Sequence, residues 1–178
     1  MRCFIAIELP REIKDYLFDL QSKIRSRDAK INFVAKSRLH CTLNFLGNVD
    51  DNLLKDVKER LSKLKFKKFK VNLENVGVFP NEDSIRVIWI GLKPANKVIE
   101  LQQKIDGELL DLFKKDQEFN AHLTLGRVKV VRDKKKFLEK LKLEIENKEF
   151  EINEFKLMKS VLSKDGPKYF EIEKYTLN

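Results

Sequence analysis

The sequence predicts an α+β fold built on antiparallel sheet, and three observations lead there. Strand-like and helix-like segments are interspersed along the chain, the strand-like ones often alternate apolar with polar residues, and no glycine-rich phosphate loop follows any of them. Alternation marks strands with one packed face and one wet face, the habit of antiparallel sheets, whereas parallel sheets read as unbroken apolar runs. The lack of a phosphate loop disfavours nucleoside-triphosphate and dinucleotide folds. With 178 residues and no Gly/Pro/Ser-rich linker, residues 1–178 read as one domain, with room for two small lobes around a shared core.

Residues 2–8 read as a strand that stops at Pro10, a residue suited to a first helical turn. Ile13, Leu17, Leu20 and Ile24 then fall at helical spacing. Leu39 to Leu46 alternates and meets Gly47-Asn48, a strand followed by a turn. Asp50 caps a helix whose stripe is Leu53, Leu54, Val57, Leu61 and Leu64. Phe69, Val71 and Leu73 open a strand that runs through Val76 and Phe79 and is broken at Pro80-Asn81. Ile85 to Leu92 is a dense apolar strand around Trp89. A third helix presents Val98, Leu101, Ile105, Leu109 and Leu112, with Gly107 inside it at a cost of about 1 kcal/mol. His122 to Val130 is a strand, and Asp133 caps a short helix bearing Phe137, Leu138 and Leu141. Strand-like stretches near 150–162 and 168–176 close the chain, joined by Lys164-Asp165-Gly166-Pro167.

The formal charge of +9 favours a polyanionic partner through its long-range field, nucleic acid being the commonest, although lysine-rich surfaces also serve solubility. No apolar run approaches the ~18 residues of a membrane span. The opening Phe4-Ile5-Ala6-Ile7 run is too short for a secretory signal. Cys3 and Cys41 form no Cys-x-x-Cys pair and no disulfide framework, which points to a reducing compartment and two small buried hydrophobes. A cytoplasmic protein with no membrane contact is expected.

The chemistry rests on two short motifs. The chain has two histidines and three threonines, and each histidine is followed two places later by a threonine: His40-Cys41-Thr42-Leu43 and His122-Leu123-Thr124-Leu125. On a strand, side chains at i and i+2 share a face. His40 and Thr42 would then project together while Cys41 and Leu43 enter the core, and likewise His122 and Thr124 in front of Leu123 and Leu125. Two such strands facing across a cleft make a site of approximate two-fold symmetry. That suits phosphoryl transfer without a metal: one imidazole takes a proton from the attacking oxygen, the other protonates the leaving oxygen, and two hydroxyls hold the non-bridging oxygens. One copy alone is commonly a satisfied structural histidine; the duplication argues against that. Zinc is a poor rival, because it usually takes three or four ligands and Cys41 points away from His40. A serine triad lacks its Gly-x-Ser-x-Gly elbow.

These paired motifs, with Phe45-Leu46-Gly47 after the first, resemble those of the two-histidine (2H) phosphoesterase superfamily, in particular its RNA 2′,3′-cyclic phosphodiesterase (2′-5′ RNA ligase) branch. Arg2 to Ile7, Phe79-Pro80 with Arg86 to Leu92, Phe119 to Arg127, and Ser163 to Tyr169 extend the resemblance over nearly the whole chain. Phe33 stands where the family often has Trp, and Ala121 where it often has Pro. The resemblance implies a bilobal fold of two antiparallel sheets flanked by helices, with pseudo-two-fold symmetry around a central cleft. It implies hydrolysis of a terminal 2′,3′-cyclic phosphate to a 2′-phosphate, with His40 as proton donor and His122 as proton acceptor. The two motifs are equivalent by type, so the residues alone do not rank these roles. Thr42 and Thr124 complete the catalytic set, and Arg127, Phe33 and Tyr169 are expected to bind substrate. A regular strand, however, puts Arg127 on the face opposite Thr124, so it reaches phosphate only if the strand ends or bends.

No metal or cofactor is expected. The expected partner is RNA with cyclic phosphate ends, tRNA fragments among them, bound by a monomer, and the same site run backwards implies 2′-5′ ligation. The rival from another class is a basic RNA-end-binding protein without turnover, which would tolerate loss of either histidine. Lys63, Lys65, Lys67, Lys68 and Lys70 read either as an RNA track or as a solvated sheet edge.

Overall fold

The structure is a computed structural model and describes residues 1–114 and 118–178. β1 (Arg2–Glu8) leads through Pro10 into α1 (Arg11–Ile24), β2 (Ala29–Phe33), a 3-10 turn (Lys36–Arg38) and the first motif strand, β3 (His40–Asn48). Next come α2 (Asp51–Ser62), β4 (Phe69–Asn81), β5 (Ser84–Lys93), α3 (Ala95–Leu109) and the second motif strand, β6 (His122–Val131). The chain ends with α4 (Lys134–Leu141), β7 (Glu149–Ile152), β8 (Glu154–Val161) and β9 (Lys168–Thr176).

The strands form two antiparallel sheets, one in the order β3-β1-β8-β9 and the other β2-β6-β5-β4-β7. Helix periodicity explains the packing: Ile13, Leu17, Leu20 and Ile24 of α1 are all buried, as are Val98, Leu101, Ile105 and Leu109 of α3. Asp50 and Asp133 cap α2 and α4 by accepting from the Leu53 and Lys136 amides at 2.9 and 3.1 Å. α2 packs on α3 and β9, and α4 packs beside α1. Among the described residues no helix is long and apolar enough to cross a membrane.

Four details differ from the sequence expectation. β2 is an additional strand, on the edge of its sheet beside β6. β4 continues through Pro80 to Asn81, because Pro80 lies at a register shift beside the hairpin end, where a missing N–H is tolerated. The third helix includes Gly107 but stops at Leu109, so Leu112 packs on the core from beyond it. The stretch near 150–162 is two strands: β7 pairs with β4 and β8 with β1, so the chain changes sheets at Asn153.

The feature that shapes the site lies just past each motif. Across β1 and β3, Ala6 pairs with Thr42 but Ile5 pairs with Asn44, leaving Leu43 as an extra residue. Across β5 and β6, Trp89 pairs with Thr124 but Ile88 pairs with Gly126, leaving Leu125 extra in the same way. One extra residue reverses the alternation beyond it. Phe45 therefore shares a face with Thr42, and Arg127 shares a face with Thr124.

Each bulge is held by a helix. Gln21 of α1, 3% exposed, donates from Nε2 to the carbonyls of Val34 and Leu125, both at 2.8 Å. The Val34 amide also donates to the Leu125 carbonyl at 2.9 Å. On the other side Asn44, next to the Leu43 bulge, donates to Asp106 of α3, whose second oxygen accepts from Gln102 at 2.7 Å. Gln21 and Gln102 are the fully buried polar side chains among the described residues, and each serves a bulge.

Replacing Gln21 by Leu leaves the Val34 carbonyl without that donor inside the packing. The expected cost is about 1–3 kcal/mol, read as a lower urea midpoint with an unchanged m-value. An unchanged midpoint would show that the bulge holds without Gln21.

Candidate active site

β3 and β6 belong to different sheets yet run beside each other at the junction between them. Behind them the motifs behave as alternation requires: Cys41, Leu43, Leu123 and Leu125 are all buried. Burial pushes the Cys41 thiol up to about 12, opposed in part by the backbone of His122 from the other motif. The thiol is thus an inert packing group.

In front of them is a cleft of about 580 Å³ lined by Phe33, His40, Thr42, His122, Thr124, Arg127 and Tyr169, so all seven residues singled out from the sequence lie along it. Arg127 is there because of the Leu125 bulge, not because the strand ends. Sequence reading did not anticipate Arg2, Asn32, Arg38 or Phe45 in the same lining. The bulge puts Phe45 on the cleft side, 65% exposed. Arg38 carried a usable signal in its place two residues before the histidine.

Backbone carbonyls fix the tautomer of both rings. His40 Nδ1–H donates to the Arg38 carbonyl at 2.6 Å, and His122 Nδ1–H donates to the Asn120 carbonyl at 2.7 Å. A carbonyl only accepts, so the lone pair of each neutral imidazole is on Nε2. His40 Nε2 lies 2.8 Å from Thr42 Oγ1, which donates to the neutral ring and accepts from the charged one. Burial is the main force on both histidines and lowers their proton affinity, opposed by the Arg38 and Asn120 carbonyls.

Aromatic rings hold each imidazole edge-on. Tyr169 meets His40 at 5.4 Å and 90°, with Phe4 packed against both. Phe79 meets His122 at 5.0 Å and 89°, and Trp89 stacks on Phe79 at 4.9 Å. The Trp89 indole lies across Gly77, in space any Cβ would occupy. At the cleft mouth Gly166 adopts φ +100°, and the Arg38 guanidinium fills the place of its missing side chain while donating to the Pro167 carbonyl at 3.1 Å. The β8–β9 hairpin is thereby fastened to the turn that carries the His40 carbonyl partner.

Several lysines of the basic run face carboxylates: Lys63 pairs with Glu59 at 2.7 Å, Lys68 with Glu151 at 3.7 Å and Lys70 with Glu149 at 3.2 Å. Their positive charge is largely offset in place, as expected of a solvated sheet surface. The guanidinium groups of Arg2, Arg38 and Arg127, by contrast, line the cleft.

Comparison with known proteins agrees with this architecture. The LigT-like phosphoesterase family pattern matches residues 7–89 and again 90–169, so each match carries one histidine motif. An RNA 2′,3′-cyclic phosphodiesterase of Methanocaldococcus jannaschii is 40% identical over 98% of this chain and 100% of its own. One from Archaeoglobus fulgidus is 34% identical over 97% and 98%. The crystal structure of TT0787 from Thermus thermophilus superposes with a TM-score of 0.82 and 27% identity, over 99% of this chain and 97% of that one. Matched along its length in sequence and in fold, the chain belongs to the LigT-like phosphoesterase family.

Proposed function

We propose that this protein hydrolyses the 2′,3′-cyclic phosphate ends of RNA to 2′-phosphates without a metal, using His40 and His122 as a proton donor and acceptor. One observation carries the reading: two His-x-Thr pairs, each with Nδ1 tied to a carbonyl, line one cleft from neighbouring strands. The relatives' shared name supplies the substrate class.

In this reading the reaction is an in-line displacement. With the cyclic phosphorus between the imidazoles, His122 Nε2 takes a proton from water as its oxygen attacks phosphorus. The bond from phosphorus to the 3′-oxygen breaks on the opposite side, and His40 Nε2–H delivers its proton there. The phosphate stays on the 2′-oxygen. Thr42 and Thr124 donate to the non-bridging oxygens, and Arg127 adds a charge-assisted contact where negative charge must be held. Phe33, Phe45 and Tyr169 offer apolar walls for ribose and base. A 5′-hydroxyl in place of water, attacking phosphorus in the same direction with the 3′-oxygen again leaving, gives 2′-5′ ligation. The protein works as a cytoplasmic monomer in this reading, a single domain over residues 1–178, on RNA fragments such as those of tRNA.

Three outcomes test it. His40→Ala and His122→Ala are each expected to lower kcat/KM on a nucleoside 2′,3′-cyclic phosphate by about 10²–10⁴-fold, while EDTA leaves the wild type unchanged. Activity lost to EDTA and restored by Mg²⁺ or Mn²⁺ would contradict the acid–base account. Arg127→Ala should cost roughly 10–100-fold, the worth of a charge-assisted hydrogen bond, whereas a regular strand with an outward Arg127 predicts no loss.

The pH profile follows from the burial of both rings. His122 must be neutral, so activity falls as pH drops through its pKa; His40 must be charged, so activity falls as pH rises through its own. Both values lie below the ordinary 6.5 in the free protein, which places the apex of kcat/KM below pH 6.5. A bound phosphate anion favours the imidazolium, so the kcat profile should lie to the alkaline side. A kcat/KM apex above about pH 7 would show that the burial argument fails.

A further inference from the structure

The two motifs are chemically alike, but the groups behind them are not. Glu8 pairs with His40 across β1 and β3; the matching place across β5 and β6, opposite His122, is Gly91. Glu8 holds its position through two ammonium groups, accepting from Lys14 of α1 at 3.4 Å and from Lys156 of β8. Lys156 also pairs with Glu171 of β9 at 2.7 Å. Both lysines are largely enclosed, with side chains 14% and 13% exposed. Together with Glu8 and His40 they line a second cavity of about 100 Å³, which adjoins the cleft and shares Phe4, Arg38, His40 and Tyr169 with it. His122 has aromatic rings, Phe79 and Trp89, as its close neighbours.

We propose that Glu8 and Lys14 are an opposed pair of positioning residues that adjusts the proton affinity of His40 on top of its burial, and so makes the two histidines unequal. The inference rests on the acid–base reading above, but its first test does not require turnover. A carboxylate near an imidazole favours the charged ring, and an ammonium near it disfavours that ring. Consistent with this, the Coulombic effect of Glu8 on His40 is upward and that of Lys14 downward. His40 and the two lysines are enclosed, which weakens the screening that would cancel such effects at an exposed site, while Glu8, 48% exposed, is held against them by its ion pairs. Lys156 is the anchor: it keeps the Glu8 carboxylate in place whether or not Lys14 is present.

Other groups face His40 too. The 3-10 turn contributes Arg38, whose guanidinium is committed to the Pro167 carbonyl. β9 contributes Tyr169, edge-on to the ring, and Glu171, which is paired with Lys156. On β3 itself is the Thr42 hydroxyl. Across the cleft is His122 on β6, with Arg2, Arg127 and Asp165 further along the lining. Glu8 and Lys14 differ from these in bearing opposite charges in the adjoining cavity while lining no part of the cleft, which lets each be removed without changing the cleft wall.

The experiment is an NMR titration of the imidazole Cε1–H signals in the free protein, assigned with His40→Ala and His122→Ala. With two histidines in the chain, the spectrum resolves each directly. In Glu8→Gln the His40 midpoint is expected to move to lower pH, and in Lys14→Met to higher pH, with His122 unmoved in both. In turnover of a nucleoside 2′,3′-cyclic phosphate, the limb of kcat/KM that disappears in His40→Ala should move in the same two directions. A merely structural role predicts loss of activity with both midpoints in place. Midpoints that stay fixed, that move the same way in both variants, or that move equally for both histidines would overturn the proposal. A protein that shows the opposed shifts but turns over no cyclic phosphate would leave the tuning intact and refute the proposed function instead.

Discussion

Gln21 reaches from a helix into the junction of two sheets and binds the Val34 and Leu125 carbonyls with one side-chain nitrogen, and the form of the cleft depends on that contact. A bulged strand leaves backbone groups out of the ladder, and inside a packed core they need another partner. With the Leu125 carbonyl satisfied, β6 can carry one extra residue and turn Arg127 toward the histidines. The corresponding support for β3 runs from Gln102 through Asp106 to Asn44. Each helix lies in one family repeat and serves the motif strand of the other, because Gln21 lies within 7–89 and Leu125 within 90–169. Neither half can complete its own site.

The symmetry that results is in backbone and motif, and the chemistry departs from it. Both imidazoles give Nδ1–H to a carbonyl two residues upstream, both meet an aromatic ring edge-on, and both are followed by a bulge. The bulge then delivers Phe45 on one side and Arg127 on the other, an apolar plate facing a cation. On the partner strands, Glu8 stands opposite His40 where Gly91 stands opposite His122. A reaction with a donor and an acceptor needs such inequality, since two identical imidazoles in identical surroundings would share one proton without preference.

The sequence made the motif strands legible, because period-two alternation needs only local pattern: His40 and Thr42 outward, Cys41 and Leu43 inward. It also carried the stripes of α1, α2 and α3 and both aspartate caps. The bulges were hidden, since an extra residue in a strand has no signature of its own until its partner strand is known; hence a regular strand put Arg127 on the wrong face. The change of sheet at Asn153 was hidden for a related reason, as a single residue separates β7 from β8 and no Gly or Pro marks it. β2 was visible in principle through Ala29, Ile31 and Phe33, but it is short and interrupted by a lysine. The cluster behind His40 joins residues 8, 14 and 156, a pairing that only the packed fold displays.

The central claim, that the paired motifs act in line on the phosphorus of a 2′,3′-cyclic end, is tested most directly by where the phosphate remains. Hydrolysis of adenosine 2′,3′-cyclic phosphate in H₂¹⁸O, with products separated by chromatography and weighed by mass spectrometry, gives that position and the fate of water together. The account predicts adenosine 2′-phosphate carrying one ¹⁸O on its phosphate. Adenosine 3′-phosphate as the main product, or unchanged substrate, would contradict it.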